Sequence, residues 1–413
     1  MGKKAVLIGA LDTKGEEYRF VKEKLENMGI ETLVVNTGVL GEPAFPPDIS
    51  SDELARAGGS DLVRLREQND RGSAVATMTR GAAVIAERLA ESGVVGGMFG
   101  MGGTAGTTVA ASAMQALPVG IPKVLVSTVA SGNTRPYVGV KDIAMMYSVV
   151  DIAGLNALSR RILSNAAYAL GGMIKETAAE LPQQEEKVTL GMTMFGVTTP
   201  CVTRVREILE SEGYDLLVFH ATGTGGLAME ELIRAGYIKG VADITTTELA
   251  DELVGGIFSA GPNRLEAAGA SGVPQVVSVG ALDMVNFGPP ETVPERFSGR
   301  KFYQHNPTTT LMRTTVEENY QLGTILARKL NQSQSPTVLV FPKGGVSLLD
   351  REGQPFAGEE ERQALYNGIK EHLRQDIPFI EMQEDINDPA VAEVIAEQLL
   401  QLLGKTMNKA KSR

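Results

Sequence analysis

The sequence predicts an α/β protein: two Rossmann-like, doubly wound domains with mainly parallel sheets and a cleft between them. Three observations carry this. Short β-branched runs alternate with longer amphipathic ones along the chain, the pattern of a parallel sheet covered by helices. Glycine is in excess: 46 of 413 residues, about 11% against a usual share of about 7%. These glycines sit at the ends of apolar runs, where tight turns or a closely bound group require them. Finally, the order of elements restarts once, after a polar stretch near the middle.

In order, residues 5–10 read as a strand. Residues 16–28 place Phe20, Val21, Leu25 and Met28 at helical spacing and stop at Gly29. Residues 32–36 form the next strand. The stretch 41–59, rich in Pro and Asp, is expected as a loop or lid. A helix over 74–92 stops at Gly93, followed by a strand (94–99), a helix (107–117), strands (123–129 and 144–150) and a long helix (156–180). The segment LPQQEEK, 181–187, is polar, carries a proline and reads as a linker. The second half then gives strands at 188–194, 215–219, 240–244, 274–279, 337–341 and 379–382. Helices are expected at 201–211, 227–235, from 248, and at 317–330, 359–373 and 389–403. This sets domains at 1–181 and 188–404, with a basic tail at 405–413. The halves echo each other: VVGGMFGMGGTAGTTVA resembles YDLLVFHATGTGGLAME, and IPKVLVSTVASG resembles VPQVVSVGALDM. That echo suits either a duplication or the general likeness of two Rossmann-like domains.

Composition narrows the function. Hydrophobic residues make up 43% and charged residues 22%, which argues against disorder and against a membrane bundle. The net charge of -11 argues against a sequence-independent grip on nucleic acid, which needs a basic stripe. The one basic cluster is the tail, Lys405, Lys409, Lys411 and Arg413, which reads as a solvated terminus. Cys201 is the single cysteine, so neither a disulfide framework nor a cysteine zinc site is expected. His220, His305 and His372 lack metal-site spacing. The first residues read as a strand and not as a signal peptide, so the protein is expected to be cytoplasmic, with no membrane segment.

In open α/β sheets, ligands bind where strands end and helices begin. Four such loops stand out. In FGMGGTAGTT, Gly100, Gly102 and Ala105 fit G-x-G-x-x-A between a strand and a helix. Gly102, Gly103, Thr104, Gly106 and Thr107 are positioned by sequence to cradle phosphates on free N–H groups; tight helix–sheet packing is the alternative. In FHATGTGGLA, Gly223, Gly225 and Ala228 repeat the pattern, with Thr224 and Gly226 at its variable positions. There His220 can polarise a ligand or act as acid or base, or simply make a structural hydrogen bond. In LDTKGEE, Lys14 can meet a phosphate and Asp12 a Mg²⁺ or a ribose hydroxyl; Asp12 or Thr13 can equally cap the next helix. In SVGALDMVN, Asp283 and Asn286 are small polar groups in an apolar setting, suited to Mg²⁺ or to substrate. Asp243 ends another strand, and Arg313 belongs to a cationic segment that can neutralise an anion or sit in salt bridges. An NAD site expects an acid about 20 residues past the glycine loop. The first loop offers Gly120 there and the second offers Asp243, which leaves only a weak NAD reading.

Taken together, LIGALDTKGEE, FGMGGTAGTT, IPKVLVSTVASGNT, DITTTELADELVGGIFSAGPNRLEAA, VSVGALDMVNFGPPETVP, HNPTTTLMRTT, FPKGGVSLLD and INDPA resemble an uncharacterised bacterial protein family. That family shares an ATP-binding domain with the tomato mosaic virus resistance protein of plants. The resemblance spans residues 4–403 and is most specific over 243–286. It implies two Rossmann-like subdomains, ATP–Mg²⁺ binding and self-association as a homodimer or higher homo-oligomer. The plant region blocks viral replication proteins, an activity that does not transfer to a bacterial chain. Some relatives carry a further barrel resembling phosphoenolpyruvate-hydrolysing enzymes; activity needing it is expected here from a separate barrel-type protein.

The leading expectation is a cytosolic ATP- and Mg²⁺-binding protein acting on a small phosphorylated or carboxylated metabolite. Asp12, Thr13, Lys14 and the first glycine loop hold nucleotide, with Asp12 at the metal. Lys14, His220, Asp243 and Asp283 are the catalytic candidates, and the second glycine loop with Asn286 and Arg313 takes the partner substrate. A nucleotide-controlled regulatory module without turnover is the alternative.

Overall fold

The computed structural model describes the backbone of residues 3–178 and 187–411, with side chains for 3–176 and 187–404. The chain divides into two compact units, Met1–Gln184 and Glu185–Arg413. Apart from Lys187, the linker expected at 181–187 lies outside the described residues.

The first unit runs β1 (Lys4–Gly9), α1 (Leu11–Asn27), β2 (Thr32–Asn36), α2 (Ser51–Ala57), α3 (Leu62–Gln68), α4 (Arg71–Glu91), β3 (Val95–Gly102), α5 (Thr104–Ala116), β4 (Lys123–Ser127), α6 (Arg135–Val138), β5 (Ala144–Tyr147) and α7 (Ala157–Ala178). Its five strands are parallel, in the order β2-β1-β3-β4-β5. Successive side chains of a strand point to opposite faces, and β1 divides accordingly. Val6 and Ile8 join Leu54, Met78, Ile85 and Met114 beneath α2, α4 and α5. Ala5 and Leu7 join Val21, Leu25, Leu163 and Leu170 beneath α1 and α7. A sheet buried on both faces explains the near-continuous apolar run KAVLIG.

The structure differs from the expected element map at several points. The loop expected at 41–59 contains α2, which Ser50 and Glu53 start with a reciprocal capping box. The loop expected at 11–17 is already helical from Leu11, with one non-helical residue, Lys14 (φ -133°, ψ 24°). The expected frayed tail continues helix through Lys411.

The second unit runs β6 (Thr189–Met194), α8 (Thr199–Ser211), β7 (Asp215–His220), α9 (Thr224–Arg234), β8 (Val241–Thr245), α10 (Glu248–Val254), α11 (Ala267–Ala270), β9 (Gln275–Gly280), β10 (Met284–Phe287), β11 (Phe302–Asn306), β12 (Thr309–Arg313), α12 (Val316–Asn331), β13 (Thr337–Pro342), α13 (Glu359–His372), β14 (Phe379–Met382) and α14 (Pro389–Lys411). Six strands form a parallel sheet ordered β14-β13-β9-β8-β6-β7. The polar segment 284–313 folds as a separate antiparallel sheet, β10-β12-β11. Both parallel sheets therefore flank their first strand with the second on one side and the third on the other. That makes β1/β3 and β6/β8 the topological switch points, where open α/β sheets bind ligands. Two mainly parallel sheets flanked by helices are the architecture the alternating pattern predicts.

Candidate functional site

At the switch point of the first unit lies a cavity of about 470 Å³. Asp12 and Thr13 of the α1 start, residues 37–40 after β2, and Ala105, Gly106 and Val109 of α5 line it. Its far wall comes from α3 and α4, including Leu65, Arg66, Asn69, Asp70, Arg71 and Met78. Most of the wall is apolar, and the polar groups converge on a few points, the usual make-up of a small-molecule site.

One of those points is the N-terminus of α5. Gly103 is its N-cap and supplies no side-chain acceptor. The first N–H groups of a helix have no intrahelical partner, and the helix dipole makes their end positive. Ala105 and Gly106 present that end to the cavity, and the exposed Thr104 sits beside it. Gly102 and Gly100 act differently. A Cβ on Gly102 would stand 2.9 Å from Gly106 Cα, and one on Gly100 would stand 2.5 Å from Ala110 Cβ. These two glycines let α5 lie close against β3. Thr107 is buried, donates to Gly102 O at 3.2 Å and meets Ser127 Oγ at 2.7 Å, so its hydroxyl serves the fold.

Asp12 is the second point. Its Oδ2 accepts from the Leu40 and Gly41 amides, each at 3.1 Å, and so ties the loop after β2 to the cavity rim. Its Oδ1 is buried with no partner among the described residues. A buried acceptor left unpaired is costly. A metal ion or a hydroxyl of a bound sugar would satisfy it, so the residue present fits the expected group. Among the described residues no group of three or more His, Cys, Asp or Glu could form a metal site. Lys14 points elsewhere: its Nζ donates to Ile152 O, and it is not among the lining residues.

At the second switch point the equivalent space is filled by the chain itself. The β6/β8 ladder ends at Met192 and Ala242. Beyond it, Thr193 Oγ1 donates to Asp243 Oδ1 at 2.8 Å and accepts from Thr245 N at 2.9 Å. Arg264, with a side chain 0% exposed, holds Asp243 through NH1 at 2.5 Å and NH2 at 2.7 Å, and Glu248 through Nε at 2.6 Å. Glu248 then does at the second glycine loop what an anionic ligand would do. Its Oε1 accepts from Gly223 N at 2.8 Å and Gly226 N at 3.0 Å, at the N-terminus of α9. Only glycine suits position 223, where φ is +84° and a Cβ would meet Ser259 O at 2.6 Å. Burial pushes the Glu248 carboxyl up, against the pull of Arg264.

The remaining candidates are dispersed within this unit. His220 ends β7, is exposed at the surface, and lies edge-on to Phe195 at 5.4 Å; desolvation lowers its pKa. Thr224 opens α9, and a Cβ on Gly225 would collide with His220 O. Asp283 is fully buried. Its Oδ2 accepts from Ser347 Oγ at 2.8 Å, while Oδ1 has no partner among the described residues. Burial and then the neighbouring Asp350 raise its pKa. Arg313 is spent on Phe356 O at 2.8 Å and Asp350 at 3.1 Å. Asn286 Nδ2 donates to Asp251 Oδ2 at 2.6 Å. The first unit thus brings Asp12, Thr13, Ala105 and Gly106 together around an open cavity. Asp243 and Asn286 sit in buried networks of their own, and Asp283 and Arg313 share a third, in which Arg313 NH1 donates to Asp283 O at 3.3 Å.

Sequence reasoning missed Arg66, Asn69, Asp70 and Arg71. An Asp70 N-cap on Gly72 and Ser73, just before a helical pattern, was the signal that could have placed the last of them at a helix start.

Asp251 yields a testable pH dependence. Burial pushes its carboxyl up from 3.8 to about 7. An acid with a raised folded pKa holds its proton longer when folded, so the folded state binds more protons between the two values. Stability then falls as pH rises through that window, from about 4 to about 7. Asp283 acts in the same direction. Urea midpoints are expected to be higher near pH 5 than near pH 8, with Asp251 contributing on the order of 3 kcal/mol at most. Asp251→Asn should shrink the difference; an unchanged difference would remove Asp251 from the account.

Among known proteins, two models of one family cover nearly the whole chain. The model described as "Uncharacterised protein family (UPF0261) N-terminal domain" matches residues 3–179, and the C-terminal domain model matches 187–403. A UPF0261 protein of Clostridium tetani is 54% identical over 406 residues, covering 98% of this chain and 100% of that protein. One from Mesorhizobium japonicum is 45% identical over 399 residues, covering 95% of this chain and 98% of that protein. The ToMV resistance protein Tm-1(GCR237) of Solanum lycopersicum is 38% identical over 424 residues, covering 97% of this chain and 56% of that longer protein. No described helix is long and apolar enough to cross a membrane. With both of its halves matched and relatives aligned almost end to end, the chain belongs to the UPF0261 family.

Proposed function

We propose that this is a cytosolic, self-associating nucleotide-binding protein that takes ATP, with Mg²⁺, in the switch-point cavity of the first unit. One contrast carries the reading. The N-terminus of α5 opens onto a cavity of about 470 Å³, while the matching N-terminus of α9 is filled by Glu248. An uncapped helix N-terminus at a switch point suits phosphate. The apolar wall of Leu65, Val75, Met78 and Val109 suits a base. Asp12 Oδ1 is available to a ribose hydroxyl or to the metal, which phosphate oxygens would otherwise hold. When bound, Mg²⁺ neutralises phosphate charge. Calorimetric titration with ATP, with and without Mg²⁺, tests this. Saturable heat and a raised melting temperature are expected; neither appearing would end the proposal.

A second reading, nucleotide binding that controls a partner or assembly without turnover, has its own observation. Lys14, Asp243 and Asp283 are each engaged in bonds inside the fold. It expects ATP binding with no phosphate release and a mass that changes with ATP in light scattering. Steady phosphate release would favour an enzyme acting on a small phosphorylated or carboxylated metabolite.

A further inference from the structure

The wall that α3 and α4 give the cavity carries two arginines that pair with no carboxylate among the described residues. Arg71 lines the cavity and, among the described residues, has no ion-pair or hydrogen-bond partner. It is also the first residue of α4. There the helix dipole opposes a cation, so the position gains nothing from local structure. Arg66 lines the same wall. Its Nε donates to Val39 O at 2.5 Å, and its two terminal nitrogens have no partner among the described residues. Asp70 and Asp12 line the same cavity, and neither forms an ion pair with these arginines among the described residues. Asp70 accepts from Gly72 N at 3.0 Å and Ser73 N at 3.2 Å, and Asp12 holds the Leu40 and Gly41 amides. The cavity therefore has two separate positive poles, the amides at Ala105 and Gly106 and the guanidiniums on the α3–α4 junction.

We infer that Arg66 and Arg71 are the terminal-phosphate clamp of this cavity, which makes it selective for nucleoside polyphosphates over monophosphates and nucleosides. The inference rests on the nucleotide reading and deepens it. One phosphate sits on the helix N-terminus. A ligand with further phosphates extends to the second pole, where guanidinium forks match phosphate oxygens. A nucleoside engages neither pole, and a monophosphate only the first.

Calorimetry with ATP, AMP and adenosine on wild type, Arg71→Ala, Arg71→Lys and Arg66→Ala tests the clamp. Arg71→Ala breaks no bond within the described residues, so it should fold as wild type does. It should weaken ATP about tenfold and leave adenosine within about twofold. It should also flatten the salt dependence of ATP binding, and Arg71→Lys should recover part of the loss. Arg66→Ala should act likewise once its melting temperature shows that losing the Val39 contact has not unfolded the unit. Equal weakening of ATP and adenosine, or no weakening of ATP, would overturn the clamp while leaving nucleotide binding standing. A wild-type protein that binds no ATP would overturn both.

Discussion

Arg264→Ala should cost the second unit about 3–5 kcal/mol of stability, read as a large fall in its denaturation midpoint. Arg264 is fully buried and is the shared counter-charge of Asp243 and Glu248, with Glu230 Oε1 3.6 Å away. Removing it leaves Asp243 and Glu248, with 0–2% side-chain exposure, without a cation, and Glu230 with Arg234 alone. Water cannot reach Asp243 or Glu248, so each must be protonated or remain as an uncompensated charge, and either is costly. The damage would spread. Glu230 also accepts from the Leu265 and Ala267 amides, and Glu248 from Gly223 and Gly226. Arg264→Lys should recover only part of the loss, because one ammonium cannot reproduce two bonds to Asp243 and one to Glu248. A loss below about 1 kcal/mol for the alanine variant would show that the network is not the keystone of this unit.

Ala105→Asp should abolish nucleotide binding in the first unit while leaving its stability unchanged or slightly raised. Position 105 is the second residue of α5 and lines the cavity. A carboxylate in the first turn is favourable for a helix, by about 0.3–1 kcal/mol. The same carboxylate occupies the anion pole and repels phosphate. An affinity loss of about 100-fold or more is expected, because like charges brought together cost several kcal/mol. The variant copies into the first unit what Glu248 does in the second. Stability and affinity moving in opposite directions separates a ligand site from a merely tight turn. Undiminished ATP affinity would place the phosphates elsewhere.

Much of this architecture can be read from residues alone, since β-branched runs and helical periodicity are local signals. FGMGGTAGTT reveals a strand–turn–helix junction because its glycines and the following apolar spacing lie within ten residues. Helices α2 and α3 are harder to read. Leu65 is the single buried residue of α3, so no apolar stripe announces that helix. Ser50 and Glu53 did carry a local capping signal for α2, masked by the surrounding Pro and Asp residues. The fate of the second glycine loop lies beyond any local reading. Its resemblance to the first is real, yet Glu248, which fills it, comes from 22–25 residues downstream. Asp243 looks like a site residue because it ends a strand, Asp283 because it is polar in apolar surroundings, and Arg313 because it belongs to a cationic segment. The same signals arise when charges neutralise one another inside a core, and only the three-dimensional partners separate the two cases.

Hydrogen–deuterium exchange with and without ATP–Mg²⁺ tests the central claim most directly, because it reads both helix N-termini in one experiment. Slower exchange is expected at residues 104–107, 12–14 and 38–41, with no change at 223–226, where Glu248 already holds the amides. Protection at 223–226 with none at 104–107 would contradict the account.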